Sequence, residues 1–278
     1  MSQAEPYPFQ EQLNERYPIS PKQVAQYQQD GYIKLKNVFS ADTLAYYGDI
    51  IRQEVAARSQ NAAPLNKRTT YGKAFLQIMN LWTANEAIKT FCFAQRLGQI
   101  ATELMQVDGV RMYHDQALFK EPSGGFTPWH ADQYYWPFDS PNCITAWIPL
   151  QAIPLEMGPL SFCIGSQKIL QNRHLGISDE SEAKIETNLK KYPKDVSPYE
   201  LGEISFHAGW NFHRAGPNNT DKMRAAMTVI MMEDGMRLIE PKHASHQSDW
   251  DTWLPGAKIG EKLQTHLNPL IYSQANHK

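Results

Sequence analysis

From about residue 108 the texture of this chain changes, and that change limits the folds open to it. Apolar side chains stop recurring at helical spacing and fall into short runs punctuated by Gly, Pro and Asn. The segments 110–120, 142–150, 159–164, 202–207, 210–214 and 223–232 read as strands, because short apolar or alternating runs bounded by turn residues mark β structure. Parallel strands would need long crossovers between them, so several short strands in close succession favour a sandwich or jelly roll.

A helical portion precedes the strands. Residues 1–18 are polar and contain prolines, and read as an arm on the surface. Ser20, Pro21 and Gln23 then supply an N-cap, a first-turn proline and the partner of a capping box. That helix should run to about Asp30 and stop at Gly31, which tolerates the left-handed conformation of a helix end. Residues 32–38 alternate as a half-buried strand does, and Ser40 caps a second helix with Leu44, Tyr47, Ile51 and Val55 on one face. Residues 60–80 are less regular. A helical stretch over about 85–105 follows, with Ile88, Phe91, Leu97, Ile100 and Leu104 as its apolar positions.

No repeat or low-complexity linker divides the chain, so 1–278 is expected to form a single domain. Its parts would be a helical front (about 1–107), a β core (about 108–235) and a charged insertion at 166–202. Residues 178–191 of the insertion read as a solvated surface helix, and a loop of such length can also serve as a lid. Composition excludes several functions. A net charge of -2 offers no basic field to nucleic acid or anionic lipid. The longest apolar runs, such as 227–232, are too short to span a bilayer, and the first residues lack a secretory pattern. Cys92, Cys143 and Cys163 are scattered, which is poor material for disulfides or a thiolate zinc site. The expectation is a cytoplasmic protein that acts on a small molecule and binds neither nucleic acid nor membrane.

The chemistry concentrates in two segments. In Trp129-His130-Ala131-Asp132-Gln133, residues two apart on an extended chain share a face, so His130 and Asp132 can converge on one ion. An imidazole, a carboxylate and one distant His make the facial triad of non-haem Fe(II) oxygenases, which leaves metal positions open. The second segment holds His207 and His213, a turn at 216–219 and Arg224 opening the next strand. Antiparallel neighbours joined by that turn would bring Arg224 close to His213. A buried Arg needs an anion, and its planar fork suits a carboxylate. His207 and His213 share strand parity, so parity does not choose between them, although a bulge at Gly209 could break it.

These residues resemble the phytanoyl-CoA dioxygenase family. His130 and Asp132 match the family's H-x-D motif, and His213 with Arg224 eleven positions on matches its second motif. Residues 30–38 are similar to its opening strand. Residues 157–168 are similar to a glycine-bearing segment, with Ile164 and Gln167 departing from the usual Pro and His. The resemblance implies a mainly β fold with flanking helices, a double-stranded β-helix (jelly roll, cupin-like) core behind a helical N-terminal portion. It also implies Fe(II) on His130, Asp132 and His213, with 2-oxoglutarate and O2 as co-substrates and Arg224 on the far carboxylate. Family spacing prefers His213 to His207, which is left a structural or supporting role. Gln116 and Trp147 fall near further co-substrate contacts.

The implied reaction oxidises a C–H bond of a small organic metabolite or natural product and releases succinate and CO2. Gln133, Tyr134, Tyr135 and Trp136, beside the metal motif, are the candidate substrate residues. A halogenase would lack Asp132. The alternatives are a zinc hydrolase on the same His/Asp/His site and a non-catalytic cupin-like binding protein, both of which leave Arg224 without a task.

Overall fold

Two antiparallel sheets and a layer of helices make up the computed structural model, which describes residues 7–277. The helical elements are α1 (Gln10–Asn14), α2 (Pro21–Asp30), α3 (Ala41–Arg58), α4 (Thr70–Ala74), α5 (Glu86–Cys92), α6 (Gln95–Met105), α7 (Asp179–Leu189) and α8 (Ala244–Trp253). The strands run from β1 (Tyr32–Leu35), β2 (Leu76–Met79), β3 (Gly109–Lys120) and β4 (Thr127–His130) through β5 (Cys143–Pro149), β6 (Leu160–Cys163) and β7 (Lys194–Asp195). They end with β8 (Ile204–Ala208), β9 (His213–Ala215), β10 (Arg224–Glu233) and β11 (Leu270–Ser273). The larger sheet has the order β1-β8-β5-β10-β3-β11, with β2 also on β3, and the smaller has β4-β9-β6-β7.

Period-two alternation decides what each face of the larger sheet does. Ile144, Ala146 and Ile148 of β5, and Ala225, Met227, Val229 and Met231 of β10, pack into the main core with α3, α5 and α6. Their neighbours Thr145, Trp147, Arg224, Thr228 and Ile230 line a cavity on the other face, together with His114, Gln116 and Leu118 of β3. One face therefore builds the hydrophobic core, and the other builds the site.

The N-terminal signals act as read. The Ser20 side chain accepts the Gln23 amide while Gln23 reaches back to Ser20, and Gly31 closes α2 at φ 78°. In α3, Leu44, Tyr47, Ile51 and Val55 are all buried. Three expectations change. The part of the arm that falls within the described residues is docked, because α1 buries Leu13 and the Arg96 guanidinium holds the Glu15 carbonyl and carboxylate. The 85–105 stretch is two helices, separated at Phe93 and Ala94, where Ala94 takes an extended ψ of 120°. Finally, α7 is no free surface helix. Its Ile185 and Leu189 pack into a cluster with Trp129, Cys163 and Phe212, and the Glu182 carboxylate accepts the Trp129 amide and pairs with Arg214 at 3.1 Å. The helix braces the strands that carry His130 and His213. No helix among the described residues is long and apolar enough to cross a membrane.

Because Ile185 is fully buried, Ile185→Ala should lower unfolding stability by about 2–5 kcal/mol, read from the denaturant midpoint. An unchanged midpoint would return α7 to the role of a solvated face.

Candidate metal centre

Strands β4 and β9 pair so that His130 lies directly opposite His213. Ala131 continues the extended backbone (φ −123°, ψ 126°) before a short helical turn starts at Asp132. The two-residue spacing therefore still brings the Asp132 carboxylate to the imidazoles. One ligand atom from each of the three residues lies within 4.8 Å of the others. Asp132 Oδ1 is 3.5 Å from His130 Nε2 and 3.6 Å from His213 Nε2.

Hydrogen bonds set the rings for ligation. His130 Nδ1 lies 2.7 Å from the Pro128 carbonyl oxygen, and His213 Nδ1 lies 3.0 Å from that of Asn211. A carbonyl can only accept, so each Nδ1 carries the proton and each Nε2 turns a lone pair inward. Burial, with His130 and His207 alongside, drives the His213 imidazole well below its ordinary value, which keeps it neutral. Burial alone would raise the Asp132 carboxyl, but the imidazoles of His213, His130 and His207 reverse this and hold it well below the usual range. A neutral His213 imidazole and an ionised Asp132 are states in which these side chains can ligate a divalent ion.

His207, on β8, is also buried, with Nε2 3.4 Å from Asp132 Oδ2. Its Nδ1 has no hydrogen-bond partner among the described residues, so no backbone carbonyl anchors this ring as one does in His130 and His213. It approaches the carboxylate oxygen that Thr145 Oγ1 also reaches, at 3.3 Å. Oδ1 is thus left to the two anchored histidines, while His207 and Thr145 flank Oδ2.

The cavity beside these residues has a volume of about 550 Å3 and draws its lining from both sheets, a size suited to a small-molecule site. Arg224 lines it and is 1% exposed. Its Nη1 donates to the Gly158 carbonyl at 2.7 Å, and its guanidinium lies 5.5 Å from the Trp147 ring. No acidic side chain pairs with it among the described residues, and its buried Nε has no acceptor there. Burial lowers it to about 10, so it is still a cation at neutral pH. Lys120, opposite Arg224 on β3, is also buried, and burial plus Arg224 push its ammonium down to about 6. Gly158 is specifically required here. At φ 70° its backbone suits glycine, and a Cβ would collide with the Gly216 carbonyl.

Gln116 and Trp147 line the cavity, with Gln116 Oε1 accepting from Gln77 at 2.7 Å. Tyr135 and Trp136 line it too. Gln133 and Tyr134 do not. The helical turn starting at Asp132 rotates them away, so that Gln133 donates to the Ser140 carbonyl and Tyr134 stacks on His243. The arrangement of Arg224 also differs from expectation. It is not a strand neighbour of His213, because β9 belongs to the smaller sheet and β10 to the larger. The turn between them crosses from one sheet to the other, and the two residues meet across the cavity wall. His114 shares a strand face with Gln116 by period-two spacing, and it lines the cavity as well. Sequence reading missed Ser248, Asp249, Thr252 and Trp253 of α8. Helix α8 begins at His243 without a side-chain cap, so no start signal announced it.

Residues 27–226 match the phytanoyl-CoA dioxygenase (PhyH) family. The chain is 21% identical over 223 residues to a Stutzerimonas stutzeri protein named probable alpha-ketoglutarate-dependent hypophosphite dioxygenase, covering 75% of this chain and 77% of that one. It is 22% identical over 244 residues to the ectoine dioxygenase of Stutzerimonas stutzeri strain A1501, covering 78% of each. Its fold is similar to that of the epimerase SnoN from nogalamycin biosynthesis, solved with Fe3+, alpha-ketoglutarate and nogalamycin RO. The TM-score is 0.72 at 23% identity, over 90% of this chain and 98% of that one.

The anchoring bonds separate the histidines experimentally. His130→Ala, Asp132→Ala or His213→Ala should each abolish divalent-metal binding measured by equilibrium dialysis, and His207→Ala should retain it. Metal lost from His207→Ala and kept by His213→Ala would reverse the assignment.

Proposed function

The chain belongs to the phytanoyl-CoA dioxygenase family, and from that premise we propose how its cavity serves an iron(II)- and 2-oxoglutarate-dependent oxygenation. The donor set fits the metal. Nε2 of His130, Nε2 of His213 and Oδ1 of Asp132 would hold Fe(II) on one side, leaving the cavity side for co-substrate and dioxygen. Bound iron supplies the activation of dioxygen, coupled to decarboxylation of 2-oxoglutarate to succinate and CO2 and to oxidation of a substrate C–H bond.

The protein's part is binding, orientation and exclusion of water. The observation that carries the reading is the buried guanidinium of Arg224, which has no carboxylate partner among the described residues and lines the same cavity as the metal set. It would pair with the far carboxylate of 2-oxoglutarate, while Trp147 and Gln116 flank the co-substrate. A zinc hydrolase or a passive binding protein would have no use for this charge. Tyr135 and Trp136 form part of the substrate wall. Ile177, the one residue of the 166–202 insertion that lines the cavity, donates its amide to Tyr135 Oη at 2.8 Å. This contact supports a rim role for the start of the insertion, with α7 as its brace. The lining from two antiparallel sheets supports a double-stranded β-helix core, and we read 1–278 as one catalytic unit acting on a small organic metabolite or natural product.

Arg224→Ala should keep iron but weaken 2-oxoglutarate binding at least tenfold. The lost charge-assisted hydrogen bond is worth roughly 1.5–3 kcal/mol. Anaerobic titration with 2-oxoglutarate reads this directly, and an unchanged affinity would remove Arg224 from the co-substrate site.

A further inference from the structure

Helix α8 contributes a carboxylate to the cavity that neither iron nor 2-oxoglutarate needs. Asp249 lines the space together with Ser248, Thr252 and Trp253 from the same helix. Its Oδ2 accepts from Tyr113 Oη at 2.6 Å, the one hydrogen bond its carboxylate makes among the described residues, where it also has no ion-pair partner. Burial, with a further contribution from Asp132, pushes Asp249 up to about 7 despite the opposing bond from Tyr113. A carboxylate in this position lacks a cation.

Among the described residues the cavity lining offers it none. Arg224 is the single Lys or Arg side chain in the lining, and His114 is kept neutral because burial lowers it to about 3. Loading the site does not help. The two positive charges of ferrous iron and the one of Arg224 are matched by Asp132 and by the two carboxylates of 2-oxoglutarate. Once ionised, Asp249 is then a carboxylate of the lining without a positive partner among the described residues.

Its surroundings are also those that favour a cation. Trp136, Tyr135 and Trp253 line the same cavity. Tyr113 meets the Trp136 ring edge-on at 5.7 Å, and Trp253 lies 5.2 Å from His114. Aromatic faces attract ammonium groups through their quadrupole, and a carboxylate supplies the matching hydrogen-bond acceptor. The hydroxyls of Ser248 and Thr252 offer further acceptors.

We infer that Asp249 is the specificity-determining residue of this enzyme, and that its substrate is a small organic cation whose protonated amine is bound by Asp249 beside the aromatic wall. The inference rests on the oxygenase reading for the place of substrate in the cavity. The cation preference can be measured without turnover.

The test uses benzylammonium and benzyl alcohol, which are close in shape and differ in charge. Calorimetric titration at about pH 8, where the amine is protonated and a carboxylate with a pKa near 7 is ionised, would be run on the protein with and without anaerobic Fe(II) and 2-oxoglutarate. Wild-type protein should bind benzylammonium at least about tenfold more tightly than the alcohol. Asp249→Asn, which keeps an acceptor for Tyr113 and removes the charge, should bring the two affinities level while 2-oxoglutarate affinity stays at the wild-type value. Equal affinities in wild type, a preference for the alcohol, binding of neither probe, or a preference that survives Asp249→Asn would each overturn the inference. A cation preference in protein that fails to bind 2-oxoglutarate would instead sink the co-substrate assignment and leave the cation site standing.

Discussion

Arg224 carries a full positive charge at 1% exposure with no acidic side chain among the described residues to answer it, and the architecture around it is organised by that fact. An unpaired buried ion costs several kcal/mol even after relaxation, so the protein defrays this with the groups available. The Gly158 carbonyl takes one N–H and the Trp147 ring faces the guanidinium. Gly158 can do so only because its left-handed backbone lies close against the Gly216 carbonyl. That contact ties the turn after β9 to the segment before β6. What these neutral groups leave unbalanced is a buried positive charge on the cavity wall.

The metal set is the complementary case, in which charge is placed where an ion must come. Both anchored histidines give their Nδ1 proton to a backbone carbonyl two residues back in the chain. The ligand geometry is therefore written into the backbone of β4 and of the segment leading into β9, not into a chain of side chains. α7 supports the same strands from outside, through Ile185, Leu189 and Glu182. The cavity lies between two fixed elements, a dipolar metal cradle on the smaller sheet and a cation on the larger one. Helix α8 supplies a further part of its wall.

Much of this was legible because it depends on local rules. The His130–Asp132 pair needs only an extended residue between them, and Ala131 is extended. The capping box at Ser20 and the buried face of α3 are matters of spacing within one helix. The features that escaped depend on tertiary placement. Nothing local says that the turn after His213 leaves one sheet for the other, so Arg224 looked like a neighbouring strand partner. Gln133 and Tyr134 adjoin a ligand in sequence, but the turn at Asp132 points them elsewhere. Helix α8 lies far from both motifs in sequence, lacks a side-chain cap, and is tied to the site by the Tyr113–Asp249 hydrogen bond and the contact of Trp253 with His114. The residues proposed for metal and co-substrate sit in recognisable motifs, whereas the others that line the cavity are scattered over the fold.

The central claim is that His130, Asp132, His213 and Arg224 jointly form a site for iron and 2-oxoglutarate. Anaerobic absorption spectroscopy tests it most directly, by adding 2-oxoglutarate to wild-type protein that contains one equivalent of Fe(II). The account predicts a visible charge-transfer band that grows to saturation at one 2-oxoglutarate per iron and is absent from Asp132→Ala. A wild-type protein that binds Fe(II) yet develops no band at saturating 2-oxoglutarate would contradict it.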